Sequence, residues 1–124
     1  MKTEEWKRLT TVELTERYRE ASAEHGRLLD ARKTRAANKA YDRAASIEEE
    51  LKSRGAEAQA VLLALLDDPE PGTRFWAAAA VLPFAPDKSL PVLTLLAEPP
   101  MSMVGLSAAM LREQWEQGAY RPAR

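Results

Sequence analysis

With 124 residues, 45% of them hydrophobic and 30% charged, the chain has the composition of one folded, soluble domain, and wholesale disorder is excluded. Its formal net charge of -1 supplies no global field for nucleic acid or an anionic membrane. The absence of cysteine excludes disulfides, thiol nucleophiles and thiolate metal sites together, and it suits a cytoplasmic protein.

The chain opens MKTEEWKRLT, without an apolar run and a small-residue cleavage site, so no signal peptide is expected. Residues 1–10 read as a loosely packed end, with Trp6 placed to fold back over the cap of the first helix. Thr10 and Glu13 have the spacing of a capping box, in which each side chain bonds the other's backbone N–H. A helix is therefore predicted from Thr10 to about Leu29, with Leu14, Tyr18, Ala21, His25 and Leu28 as its inner stripe. Gly26 weakens that helix near its end and is expected to favour early termination.

A second helix is predicted over Lys33–Arg54, with Ala37, Ala40, Ala44, Ile47 and Leu51 on one face and Tyr41 beside them. Gly55 is the expected C-cap. Glu48, Glu49 and Glu50 fall at the end of the helix where the dipole disfavours anions, so they read as a solvated face unless neighbouring Lys or Arg side chains answer them.

The third helix, Ala56–Leu66, carries Ala58, Val61, Leu62 and Leu65. Asp67-Asp-Pro-Glu-Pro-Gly72 then breaks the chain, two prolines and a glycine leaving room only for a turn. A fourth helix over Thr73–Leu82 holds the run Trp76-Ala-Ala-Ala-Ala80, whose small side chains let flanking helices approach. The fifth helix runs from Pro86 or Asp87 to Ala97, and Pro91 implies either a later start or a kink. After Glu98-Pro-Pro100, a sixth helix over Ser102–Glu116 faces inward with Val104, Ala108, Leu111 and Trp115 and stops at Gly118. Residues 119–124 read as a frayed tail.

No segment alternates in the manner of a strand, and none approaches the roughly 18 apolar residues a membrane span requires. The expected architecture is all-α, one domain over residues 1–124, a stack of about six short antiparallel helices. The segment Leu62-Leu-Ala-Leu-Leu-Asp-Asp-Pro-Glu-Pro-Gly-Thr-Arg-Phe-Trp-Ala-Ala-Ala-Ala-Val-Leu resembles a HEAT-type hairpin, with Asp67 or Asp68 and Arg74 at the Asp and Arg positions and Thr73 where valine is usual. The resemblance implies that these polar residues tie the turn to a neighbouring helix. Between about Leu14 and Gly118 the chain also resembles a small bacterial family of HEAT-like proteins known only as a domain of unknown function. The pieces carrying that likeness are Ala37-Asn38, Glu50-Leu51, the run Asp68–Ala79, Pro86 with Leu90-Pro-Val-Leu93, and Leu111–Gly118. A histidine near Asp67 and a glutamate near Thr94, frequent in the family, are missing, so no role built on them carries over. The genomic company of some members, near toxin or secretion genes, implies a toxin-neutralising immunity protein.

No catalytic constellation emerges. His25 is the single histidine, so it forms no HxxxH or HExxH pair, and it reads as a packed or boundary side chain. Asp67, Asp68 and Glu70 lack the glycine-ordered spacing of a calcium loop, and no phosphate-cradling glycine motif is present. No metal, cofactor or enzymatic activity is expected. The expected function is protein binding, through Arg74, Phe75, Trp76, Asp68 and Trp115, several of them residue types enriched at interface hot spots. A toxin is the partner that the family resemblance suggests. The alternative is nucleic-acid binding through a basic stripe of Arg32, Arg35, Lys39 and Arg43 on the second predicted helix.

Overall fold

The structure is a computed structural model. It describes residues 2–119, with side chains from residue 5 onward. Among the described residues seven α-helices succeed one another: α1 Lys2–Lys7, α2 Thr11–Asp30, α3 Thr34–Lys52, α4 Ala56–Ala64, α5 Pro71–Val81, α6 Pro86–Leu96 and α7 Met103–Glu116. A 3₁₀ turn, Leu65–Asp67, closes α4, and no strand occurs among the described residues. The all-α stack agrees with the sequence, while the number of helices exceeds the expected six by the short α1.

That extra helix lies where the sequence suggested a loose end. Trp6 is only 4% exposed, its indole N–H donates to Ser46 Oγ (3.0 Å), and Arg54 donates to its carbonyl oxygen (3.2 Å). Burying so large an apolar ring holds six residues that have little helix-forming capacity alone. Of the tail expected to fray, residues 120–124 lie outside the described residues.

The capping box of α2 is present in both directions, Glu13 N–H donating to Thr10 Oγ1 (3.1 Å) and Thr10 N–H to Glu13 Oε1 (2.9 Å). Gly26 does not end α2, which continues to Asp30. The helix closes instead on Arg32, whose φ of 60° puts a non-glycine residue in the left-handed region. Lys33 N–H donates to the Leu28 carbonyl and Arg32 N–H to the Leu29 carbonyl, both at 3.0 Å, the paired bonds of a Schellman motif. Gly55 likewise is not the C-cap of α3. That helix ends at Lys52, and Gly55, with φ 71°, starts α4. Pro71 occupies the first turn of α5, so the helix begins two residues earlier than its expected start. Pro91 sits inside a continuous α6 with its ring exposed, so the helix does not start later than drawn.

Gly26 is explained by the crossing of α2 and α5. A Cβ built on Gly26 would stand 2.8 Å from Gly72 Cα, and one on Gly72 would stand 2.5 Å from the Ser22 carbonyl oxygen. Both positions therefore require glycine for backbone-to-backbone contact. Around the crossing, Thr73 and Ser22 are fully buried with their hydroxyls 2.8 Å apart. Each hydroxyl also has a backbone carbonyl within reach, Tyr18 O for Ser22 (2.7 Å) and Arg19 O for Thr73 (3.2 Å), so either can be the donor between them. Beyond α2, α5 contacts α4, α6 and α7, and its Ala77, Ala78, Ala80 and Val81 are buried. The seventh helix is fastened at its start by Asp30, the last residue of α2, which accepts from Met103 N–H (2.8 Å) and Val104 N–H (3.3 Å). Ser102 supplies the N-cap, accepting from Gly105 N–H (2.9 Å).

Replacing Gly72 by Ala is expected to lower stability by about 1–3 kcal/mol or more, since the added carbon meets backbone that cannot rotate away. Gly55→Ala, with open space around it but a positive φ, should cost about 1–2 kcal/mol. Urea unfolding reads both, and a wild-type midpoint for Gly72→Ala would contradict the close crossing.

Candidate functional site

Four helices contribute to one cleft of about 400 Å³. Its lining comes from His25 on α2, Tyr41, Glu48 and Lys52 on α3, Phe75, Trp76 and Ala79 on α5, and Ser107, Met110, Leu111 and Gln114 on α7. Each set obeys helical spacing. Residues 41, 48 and 52 fall on one strip of α3, and 107, 110, 111 and 114 on one strip of α7, beside the buried Val104 and Ala108. Phe75, Trp76 and Ala79 occupy consecutive turns of α5, and Ala79 leaves the floor open between the larger rings.

The floor is an aromatic cluster. Trp76 packs edge-on against Tyr18 (ring centroids 6.2 Å apart) and against His25 (5.6 Å), and lies 5.2 Å from Tyr41 at an angle of 55°. These are the offset and edge-to-face geometries favoured by ring quadrupoles. The Trp76 indole N–H donates to His25 Nδ1 at 3.0 Å. A nitrogen that accepts cannot carry the ring proton, so His25 is neutral and protonated at Nε2. Burial lowers its pKa below the ordinary 6.5. Tyr18, fully buried, donates its hydroxyl to Glu48 Oε1 at 2.5 Å. Burial, then the Glu48 charge and that hydrogen bond, raises the Tyr18 pKa well above its usual value. The second Glu48 oxygen meets the Lys52 ammonium at 3.1 Å. At the entrance Tyr41 and Met110 are 51% and 54% exposed, and Leu106, one turn before Met110, is also exposed.

The residues expected to bind protein do not form one group. Phe75, half-buried, and Trp76, buried, both line the cleft. Trp115 is partly buried against the core. Asp68 is buried beneath Arg19, whose Nε donates to Oδ1 at 2.7 Å, while Oδ2 accepts from Glu70 N–H at 3.0 Å. Asp68 thus ties the α4–α5 turn to α2, with a second tie from Arg27 to Glu70 (2.9 Å). Arg74 lies on another side of α5, in a depression with Leu66, Asp67, Val92, Leu95 and Leu96, and its Nε is buried without a partner. Of the basic stripe, Arg35, Lys39 and Arg43 share one face of α3 at intervals of four residues. Arg32 belongs to the turn before that helix and not to the helix. Asp42 and Glu49 come between the stripe and the strip of Tyr41, Glu48 and Lys52, so stripe and cleft are separate surfaces.

Sequence reasoning missed the cleft itself and four of its polar or charged members, Glu48, Lys52, Ser107 and Gln114. Two signals were present. Tyr41 stands at the edge of an alanine-rich stripe too narrow to bury it, and Ser107, Met110 and Gln114 repeat at three and four residues beside the apolar face of α7. Among the described residues no group of three His, Cys, Asp or Glu is placed to hold a metal ion, and no helix is long and apolar enough to cross a membrane.

Comparison with known proteins bears on the fold and the family. The model of a family described as a domain of unknown function (DUF2019) matches residues 12–114. The crystal structure of the protein RPA1889 from Rhodopseudomonas palustris CGA009 is similar with a TM-score of 0.82 and 24% sequence identity. The match covers 94% of this chain and 96% of that one, and at this identity it is a likeness of fold. None of the curated proteins matches the sequence.

A histidine whose folded pKa is lowered takes up its proton more readily when unfolded, so stability is full above about pH 6.5 and falls as pH drops through the lower folded value. Urea unfolding of wild type and His25→Phe, from about pH 8 down to about pH 5.5, brackets the ordinary histidine range. The wild type is expected to lose stability on acidification relative to the variant. A relative gain would contradict the Trp76–His25 bond.

Proposed function

The chain belongs to the DUF2019 family, and from that premise, which assigns no activity, we propose that it is a noncatalytic protein-binding domain with the α3–α5–α7 cleft as its receptor. The observation that carries this reading is a concave, largely aromatic surface whose polar groups are mostly engaged with one another. His25 Nδ1 is held by Trp76, and both Glu48 oxygens are taken by Tyr18 and Lys52. That leaves no pair of free acid and base groups and favours binding over proton transfer. Exposed Tyr41 and Met110 flanking buried Trp76 suit an interface, where aromatic anchors sit in pockets and methionine adapts its shape.

The successive antiparallel helices are read as a HEAT-like stack that holds this surface rigid. In the specific form that the family resemblance suggests, the partner is a toxin and the protein neutralises it in the cytoplasm. A second reading, nucleic-acid binding, draws on Arg35, Lys39 and Arg43, which make no ion pair among the described residues. It implies retention of oligonucleotides that weakens steeply with salt.

Photocrosslinking amino acids placed at Tyr41, Met110 and Lys39 in the native host separate the two. Adducts to one protein from positions 41 and 110, with none from 39, are expected. Nucleic-acid adducts at position 39 alone, or no adduct at 41 and 110, would overturn the protein-binding assignment.

A further inference from the structure

Away from the cleft, an orphaned donor lies in a second depression. It encloses about 260 Å³ between the 3₁₀ turn, α5 and α6, and is lined by Leu66, Asp67, Arg74, Val92, Leu95 and Leu96. Arg74 Nε is shielded from solvent and bonds no atom among the described residues. A guanidinium donor left in that condition is costly until an acceptor reaches it. The acidic groups nearest in sequence are mostly engaged elsewhere. Asp68 accepts from Arg19 and from Glu70 N–H, and Glu70 accepts from Arg27. Asp67 is different. It is exposed and lines the same depression as Arg74, yet among the described residues neither of the two forms an ion pair.

One positive and one negative group therefore face a common hollow without neutralising each other. The other four lining residues are aliphatic, and Leu95 is 66% exposed. A lone anion would be drawn to Arg74 and repelled by Asp67, and a lone cation would meet the reverse. A ligand carrying both charges satisfies both residues at once. An α-amino acid holds a carboxylate, an ammonium and a side chain around one carbon, and the hollow offers a guanidinium, a carboxylate and an aliphatic floor. The end of a peptide would bring only one of the two charges. The hollow is also smaller than the roughly 300–1,000 Å³ of sites for drug-sized ligands, as a molecule of this size requires.

We infer that this depression binds a free α-amino acid with an aliphatic side chain. Its carboxylate accepts from the Arg74 guanidinium, its ammonium donates to Asp67, and its side chain lies on Val92, Leu95 and Leu96. A carboxylate laid along the guanidinium edge accepts from Nε and one Nη together, the paired geometry that suits arginine to carboxylates. The site is on another side of α5 from the cleft and rests on neither reading of function given above.

NMR titration of the full chain with leucine and three smaller probes tests this. 4-Methylpentanoate keeps the carboxylate and side chain, 3-methylbutylammonium keeps the ammonium and side chain, and glycine keeps both charges without the side chain. Leucine is expected to bind in the millimolar range. It should shift the Arg74 Nε–Hε signal and the methyl signals of Val92, Leu95 and Leu96, and leave the Trp76 indole signal unmoved. Each of the other probes lacks one of the three contacts and should bind about tenfold more weakly. Arg74→Gln should abolish leucine binding. Asp67→Asn, at an exposed position, should fold as the wild type does and bind leucine no better than 4-methylpentanoate.

Binding of either singly charged probe as tight as that of leucine would overturn the inference. So would equal binding of glycine, an unchanged leucine affinity in Asp67→Asn, or an unmoved Arg74 Nε–Hε signal across the millimolar range.

Discussion

Two backbones meet at Gly26 and Gly72, and the placement of almost everything else of interest depends on that meeting. With no Cβ on either side, α2 and α5 approach closely enough for the buried hydroxyls of Ser22 and Thr73 to bond each other. The same crossing aligns Arg19 with Asp68 at one end and His25 with Trp76 at the other. On α2 these residues recur at three and four positions, so a single face presents an ion pair, a hydroxyl pair, a bare backbone and an aromatic hydrogen bond in succession. A side chain at either glycine would separate the helices, and the indole N–H of Trp76 would no longer reach His25.

The cleft depends as well on how far α2 extends. Its last residue, Asp30, accepts the first backbone N–H groups of α7, where the helix dipole favours a carboxylate. A helix stopping at Gly26 would leave α7 without that anchor, and α7 supplies one wall of the cleft. Glycine in mid-helix weakens the helix locally. Here the tertiary contact it permits outweighs that cost and carries the chain on to Asp30. Arg32 then accepts a left-handed backbone to finish the helix, because the two Schellman bonds satisfy carbonyls that would otherwise be orphaned.

The consecutive glutamates of α3 show how an unfavourable local choice is answered from elsewhere. Near the C-terminal end of a helix, anions oppose the dipole. Glu48 is answered by Tyr18 and Lys52, and Glu50 by Arg54, whose guanidinium also reaches Thr11 and the Trp6 carbonyl. One arrangement therefore settles two matters. It binds α1 and the start of α2 to α3, and it engages both oxygens of Glu48, the carboxylate that lines the cleft, while Glu49 beside it stays exposed.

Much of the secondary structure was legible in the residues alone. Thr10 and Glu13 specify a helix start through a reciprocal bond between residues three apart, and the Asp67–Gly72 run specifies a break through proline and glycine chemistry, though the break itself is only Asp68–Glu70 and Pro71 and Gly72 open α5. Such signals act within one turn of chain, which is why they survive without knowledge of the fold. The periodic alanine and leucine faces likewise indicated that helices pack on helices, and the chain belongs to the family whose resemblance its motifs carried. What a residue does across the crossing was not legible. Gly26 read as a terminator because local propensity penalises it, and only its distance to Gly72 gives the reason for its presence. Gly55 read as the end of one helix and proved to be the start of the next. Trp6 read as part of a loosely packed end folding back over the cap of the first predicted helix, and only the placement of Ser46 and Arg54, far along the chain, shows it held against α3. The cleft is the furthest from sequence, since its lining comes from four helices and no two of them share a local signal. Short-range chemistry determined where helices begin and end, and long-range packing alone decided which side chains were brought face to face.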